Sequence, residues 1–140
     1  MFNKGRVFVL IGAADPSDFE RRIILSNPSI TSRNFGYTVK WLDVDADGRS
    51  DLLVAAPFGP DGGEVFLYNG NDAAGIYNLP SQRIKRDNGV NWFGFAMAMS
   101  NNLLIIGSPY RDAVETFRLK PAIEVKLTTK WLPTEPVQFE

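Results

Sequence analysis

The sequence predicts an all-β chain. Three observations carry that expectation. Short apolar runs alternate with polar residues at period two, as in a strand with one buried face. The runs end at glycine or proline. No long helical pattern interrupts the series.

Taken in order, Arg6-Val7-Phe8-Val9-Leu10-Ile11-Gly12 reads as an alternating strand closed by glycine, and Arg22-Ile23-Ile24 as a weaker one. Asn34-Phe35-Gly36-Tyr37 places a glycine where the backbone has to approach a neighbour closely. The apolar run Leu52-Leu53-Val54-Ala55-Ala56 reads as a buried strand, ended by Pro57 because proline cannot donate to a ladder. Asp61-Gly62-Gly63-Glu64 is read as a hairpin turn. It lacks the Gly-Lys-Ser/Thr ending and the helix of a phosphate-binding loop. Glu64-Val65-Phe66-Leu67-Tyr68-Asn69-Gly70 repeats the first strand. Arg83-Ile84-Lys85-Arg86 reads as a solvated strand edge or loop, and Trp92-Phe93-Gly94-Phe95 repeats the Phe-Gly turn. Met97-Ala98-Met99-Ser100-Asn101-Asn102-Leu103 is read as a turn without carboxylates, tight at Asn-Asn and without metal. Ile105-Ile106-Gly107-Ser108-Pro109-Tyr110 then matches Leu53–Phe58. Trp41, Trp92 and Trp131 are expected in the core or between sheets.

Gly12 and Gly70 lie 58 residues apart, and so do Phe35 and Phe93. Motifs recurring in fixed order at a fixed period, with about four short strands per unit, predict β-propeller blades. The alternative is a β-sandwich of two hairpin units. Two units and the end of a third would leave apolar faces uncovered, so the chain is expected to be a fragment of a longer propeller protein, or to self-associate.

The composition narrows function. The 140 residues carry a formal charge of −1 and scattered Lys and Arg, so no nucleic-acid patch and no polybasic membrane anchor is expected. The chain has no Cys and no His, which excludes disulfides, thiol chemistry, Cys/His zinc sites and His-based triads. No run reaches the ~18 apolar residues of a membrane-crossing helix, and no leader pattern precedes the apolar Val7–Ile11. Carboxylates pair only in one loop, so catalysis is not expected.

That loop is D-V-D-A-D-G-R-S-D, Asp43 to Asp51. Carboxylates at positions 1, 3 and 5 supply a hard cation such as Ca²⁺, and Gly48 at position 6 allows the turn that folds them inward. The residue at position 7, Arg49, would ligate through its carbonyl, leaving its side chain free to vary. Position 12 is Val54 rather than the bidentate Glu of an EF-hand, so Asp51 has to close the site. The alternative is an acid-rich surface turn that holds no metal.

Phe35-Gly36, the Asp43–Asp51 loop, Leu53-Val54-Ala55-Ala56-Pro57 and Val65-Phe66-Leu67-Tyr68 together resemble the FG-GAP repeat of integrin α subunits. Ala55 stands where that pattern usually has glycine. The exit, Thr116 to Leu127 with Lys120-Pro121 and alternating Ile123, Val125 and Leu127, resembles the passage from the integrin propeller into the thigh domain. The resemblance implies a partial β-propeller of FG-GAP blades, a fragment of a seven-bladed propeller, followed by the first strand of an immunoglobulin-like sandwich. Residues 1–120 would hold the C-terminal blades: 1–20 the end of a preceding blade, about 21–72 a calcium-bearing blade and about 73–120 the last. Residues 121–140 would open the thigh-like β-sandwich.

By the same resemblance Asp43, Asp45, Asp47 and Asp51 are side-chain calcium ligands and the Arg49 carbonyl a further one. The implied function is that of a cell-surface adhesion receptor ectodomain, a scaffold that pairs with an integrin β subunit and serves matrix or cell-surface ligands through the complete receptor, with signalling through it. Two alternatives stay open. One is the FG-GAP part of a secreted glycosylphosphatidylinositol-specific phospholipase D-like protein. The other is a soluble FG-GAP interaction module.

Overall fold

Side chains on a strand point alternately to its two faces, and this alternation sorts the chain into stacked sheets. The structure, a computed structural model, describes residues 3–12, 22–72, 75–86, 89–100, 102–119 and 125–131. Strand β1 (Arg6–Leu10) pairs antiparallel with β2 (Arg22–Ser26). Next come β3 (Thr38–Leu42), β4 (Asp51–Ala56) and β5 (Glu64–Tyr68), then the small hairpin of β6 (Gly70–Asn71) and β7 (Gly75–Ile76), then β8 (Gln82–Lys85). Strands β3, β4, β5 and β8 form one four-stranded antiparallel sheet in that order. A second is built from β9 (Ala96–Ser100), β10 (Leu103–Ser108), β11 (Ala113–Leu119) and β12 (Val125–Trp131). Each is a meander of antiparallel neighbours, the plan of a propeller blade.

The two central strands of the middle sheet, β4 and β5, are buried on both faces. Leu53, Ala55, Val65 and Leu67 point one way, into a cluster with Phe93, Met97, Leu104, Ile106 and Phe117 of the last sheet and the turn before it. Leu52, Val54, Ala56, Phe66 and Tyr68 point the other way, against Val9 and Leu25 of the first sheet and against Phe35 and Ile76. Burying a large apolar side chain contributes about 1.5–3 kcal/mol. The continuous apolar run 52–56 is thus a strand with no solvent face. Sheets stacked in this way are partial propeller blades of an all-β chain, as the repeat implies.

The Phe-Gly turns are built identically. Asn34 and Trp92 both adopt positive φ, 59° and 58°, and Gly36 and Gly94 follow at 91° and 92°. Each turn closes with the same bond, Tyr37 N–H to the Asn34 carbonyl at 2.9 Å and Phe95 N–H to the Trp92 carbonyl at 3.1 Å. Glycine is required twice over at position 94: besides its φ, an added Cβ would lie 2.9 Å from the Ala55 Cβ and 3.0 Å from the Val65 Cγ2 of the neighbouring sheet. The Thr38 hydroxyl donates to the Phe95 carbonyl at 2.9 Å and ties the same two sheets.

Several expectations change in detail. Strand β2 pairs with β1, so the sheet boundaries fall between Ser26 and Thr38 and between Lys85 and Ala96. The repeat read from the Phe-Gly turns cuts each sheet before its outermost strand, which joins the strand preceding it in the sheet. Met97–Ser100 is strand, and only two residues separate it from β10, with Ser100 opposite Leu103. Asn101 of the expected Asn-Asn turn lies outside the described residues. Trp41 is not a core residue; it is 53% exposed on β3. The side chain of Trp131, and residues 120–124 of the exit segment, also lie outside them. The backbone of Val125–Trp131 runs antiparallel to β11.

The two glycines at 12 and 94 should respond oppositely to alanine. Gly94→Ala is expected to destabilise the full-length protein by about 2–4 kcal/mol, from backbone strain and overpacking together. Gly12, where an added Cβ would meet nothing within 4 Å, is expected to accept alanine within about 0.5 kcal/mol. Urea titration of both variants checks this.

Candidate metal centre

The Asp-rich loop joins β3 to β4, and its apolar residues hold it down while its acids turn inward. Leu42 and Val44 are buried in the cluster shared by the two four-stranded sheets. Between and after them come Asp43, Asp45 and Asp47, and Asp51 opens β4 opposite Leu42. Gly48 turns the chain at φ 86° with open space around it, so conformation rather than room calls for glycine there. Ala46 adopts φ 60°, a conformation that costs a residue with a Cβ about 1–2 kcal/mol.

Each acid also folds the loop. Asp43 accepts the N–H of Asp47 at 3.1 Å and of Gly48 at 2.9 Å. Asp45 accepts the Asp47 N–H at 3.2 Å and an N–H of the Asn69 amide at 3.3 Å. Asp51 is completely buried and accepts Val44 N–H and Gly70 N–H, both at 2.7 Å. These bonds leave each carboxylate with lone pairs to spare, because an ionised carboxylate has about four acceptor sites.

Asp43, Asp45 and Asp51 can each bring a carboxylate oxygen within 4.8 Å of the other two. Burial, and then the charge of Asp51, push the Asp45 carboxyl above its ordinary range. Three acids in so small a volume repel one another, and an oxygen-seeking dication is the group that offsets this. The donor set therefore fits calcium. Asp47 is placed differently. Its Oδ1 accepts the Arg49 N–H at 2.8 Å and its Oδ2 pairs with Arg49 Nη1 at 2.8 Å. The bond to the Arg49 backbone and the Arg49 guanidinium hold its carboxyl below the usual range.

The Arg49 side chain is therefore not idle. Its Nε also donates to Asp72 Oδ1 at 2.7 Å and its Nη2 to Asp72 Oδ2. The sequence reading misses these hairpin contacts of the loop, made through Asn69, Gly70 and Asp72. One signal for them is present: Gly70 closes the repeated strand. A Cβ there would lie 2.7 Å from the Arg49 Cβ and 2.8 Å from the Ser50 carbonyl, so the hairpin approaches the loop closely.

A second charged group is saturated. Glu64 is fully buried and accepts Arg83 Nε at 2.8 Å, Arg83 Nη2 at 2.9 Å and the Ser29 hydroxyl at 3.3 Å, with Lys85 Nζ at 3.7 Å. Arg83 is thus more than a solvated edge residue. It also lies over the Phe66 ring, 5.6 Å from the centroid. This arrangement pins β8 to β5 and offers no free general base.

The FG-GAP repeat family matches residues 35–68, a span that contains the first Phe-Gly turn, the acidic loop and strands β3 to β5. Residues 35–68 therefore match one FG-GAP repeat. It is 31% identical to integrin alpha-PS3 of Drosophila melanogaster over 91% of its own length and 12% of that protein. It is 36% identical to integrin alpha-4 of Xenopus laevis over 78% of its length and 11% of that protein. With phosphatidylinositol-glycan-specific phospholipase D of Homo sapiens the identity is 26%, over 76% of this chain and 14% of the relative. The chain is thus similar to integrin α subunits over most of its own length, and its meander sheets agree with the propeller blades of the repeat. It spans only about an eighth of the length of the curated relatives it matches.

Two sets of substitutions test the loop as described. Ala46→Gly should stabilise the protein by about 1 kcal/mol by relieving the left-handed alanine, seen as a raised melting temperature. In calcium-free buffer, Asp51→Ala should cost about 2–4 kcal/mol, because two buried N–H groups lose their acceptor, while Asp43→Ala should cost less than half as much. Equal losses would show that Asp51 has no special structural role.

Proposed function

We propose that this chain is part of the extracellular region of an integrin-α-type adhesion receptor, a non-catalytic scaffold that pairs with an integrin β subunit at the cell surface. In this reading the loop binds Ca²⁺ through Asp43, Asp45, Asp47 and Asp51 and the Arg49 carbonyl. The ion's work is structural: it neutralises the acids and holds the β3–β4 hairpin against β6–β7. Extracellular calcium modules bind at roughly 10⁻⁴–10⁻³ M, which suits a loop of this kind outside the cell. Matrix or cell-surface ligands are served through the complete receptor, together with its signalling.

The observation that supports a docking partner is an aromatic patch at the other end of the same strands. Tyr37, Phe58, Phe95, Trp92 and Tyr110 form a connected set of rings with neighbouring centroids 5.1–6.2 Å apart. Tyr37 is 47% and Tyr110 60% exposed. These residues come from the repeated turns themselves, beside Gly36 and Gly94 and after Pro57 and Pro109. Exposed, clustered aromatic rings are the residues that anchor protein interfaces. Trp92 holds a left-handed φ that the equivalent turn gives to Asn34, a conformation costly for a bulky residue. A strained, half-buried tryptophan packed against the exposed Tyr110 is consistent with a binding role.

The likeness to the phospholipase favours a second reading, a propeller that accompanies a separate catalytic domain. The discriminating experiment is co-expression of the full-length protein with integrin β subunits of its own organism. Integrin-type pairing predicts co-precipitation from the membrane fraction. Recovery of the protein alone from the medium would favour the phospholipase-like reading. Trp92→Asn should weaken that co-precipitation while changing stability by no more than about 1 kcal/mol, since relieved strain offsets lost ring contacts. For the metal, Asp45→Asn should remove a calcium-dependent rise in melting temperature; an undiminished rise would place the ion elsewhere.

A further inference from the structure

We infer that Arg49 sets how tightly the loop holds its cation, because its guanidinium competes with the ion for Asp47 while anchoring the loop to Asp72 on the neighbouring hairpin. The inference rests on the calcium reading of the loop above.

The geometry supplies both halves. Of the four acids, three converge and one does not: Asp47 is the acid whose Oδ2 is taken by a cation of the protein itself. To bring that oxygen to a metal shared with Asp43, Asp45 and Asp51, the Arg49–Asp47 pair has to open or share its acceptor. The other side of the guanidinium holds Asp72 through two nitrogens, the bidentate geometry that gives arginine pairs their direction. Releasing Asp47 therefore does not release the loop. Asp72 sits in the segment between β6 and β7, and Asn69 and Gly70, which lead into that hairpin, already bond to Asp45 and Asp51. The guanidinium is the third tie, and it is the one that joins loop and hairpin charge to charge.

Arg49 also stands at a way in. A cavity of about 640 Å³ opens between loop and hairpin, lined by Asp45, Asp47, Arg49, Asn69, Asp72 and Tyr77 among others. The cavity wall places Arg49 beside Asp45, one of the three converging acids. Without metal, the same positive charge partly offsets the acids, so the empty loop stays folded. The side chain is 41% exposed and its partners 33% and 76%. Solvent screening therefore keeps the competition modest, an adjustment of affinity rather than a block.

The test uses the full-length protein and Ca²⁺ as the probe, with affinity read by calorimetry and stability by melting in calcium-free buffer. Arg49→Gln should tighten calcium binding roughly two- to fivefold, the range a single exposed ion pair can supply. It should also lower the calcium-free melting temperature. Lys40→Gln, on β3 before the loop, removes the same unit of charge without touching Asp47. If it tightens binding as much as Arg49→Gln does, Arg49 is only one surface charge among others and the inference is overturned. Asp72→Asn separates the two arms. It should lower the calcium-free melting temperature without tightening binding, and tighter binding in this variant would also overturn the proposal. If the wild type and all variants bind no calcium, the metal reading itself fails and takes this inference with it. If they bind calcium with equal affinity, the metal reading stands and the role of Arg49 falls.

Discussion

The burial of the middle sheet's central strands on both faces is the constraint on which the rest of this structure depends. Strands β4 and β5 have no solvent side. Each of their paired positions must fit a neighbour, one sheet on one side for Val54 and Phe66, another on the opposite side for Leu53 and Val65. Sheets pack face to face at a spacing of about 10 Å. That leaves no room for a side chain where a turn crosses between sheets, and the crossing points are the glycines at 36 and 94. The repeat in the sequence is thus the trace of a packing problem solved the same way in successive sheets.

The same constraint explains where charge is tolerated. Asp51 and Glu64 sit at the two ends of the buried strands, Asp51 opening β4 and Glu64 opening β5, and both are fully shielded from solvent. A carboxylate survives burial only when it is richly bonded. Glu64 meets that requirement with arginine, lysine and a hydroxyl. Asp51 meets it with two backbone N–H groups, which satisfy its hydrogen bonding but bring no full positive charge. The two buried acids therefore have different chemical consequences. One is a closed ion pair that fastens a strand. The other places its charge beside Asp43 and Asp45, and that crowding is what the calcium reading of the loop rests on.

What can be read from the sequence follows the range of each interaction. The acidic loop is legible because its donors are spaced within nine residues and its glycine is fixed by local backbone geometry. The strands are legible where a face alternates or a run is wholly apolar. Pairing across longer separations is not. Arg49 finds Asp72 at 23 residues' distance and Asp51 finds Gly70 at 19, through a hairpin of two-residue strands with almost no apolar signature. Arg83 looks like a solvated edge because its partner, Glu64, is buried one strand away. Tryptophan is large and apolar, so Trp41 reads as a core residue. It instead shares the exposed face of β3 with Val39, while Leu42, the next residue along, takes the buried side. Residue type speaks for the core there, and strand phase decides against it.

The two ends of the β3–β4 hairpin differ in chemistry. At one end the loop gathers acids whose mutual repulsion a bound ion would relieve. At the other, the turns before β3 and β9 and after β4 and β10 gather aromatic rings, of which Tyr37 and Tyr110 are exposed and Phe58, Trp92 and Phe95 half-buried. About five residues of strand, roughly 17 Å, lie between them. The non-glycine left-handed residues follow this division: Ala46 lies in the acidic loop, Asn34 and Trp92 in the aromatic turns, and Asp112 just after Tyr110. Among the described residues, left-handed non-glycine backbone thus lies in the loops and turns rather than in the strands. A metal at one tip can hold the hairpin's register, and with it the position of the rings at the other, without itself touching a partner.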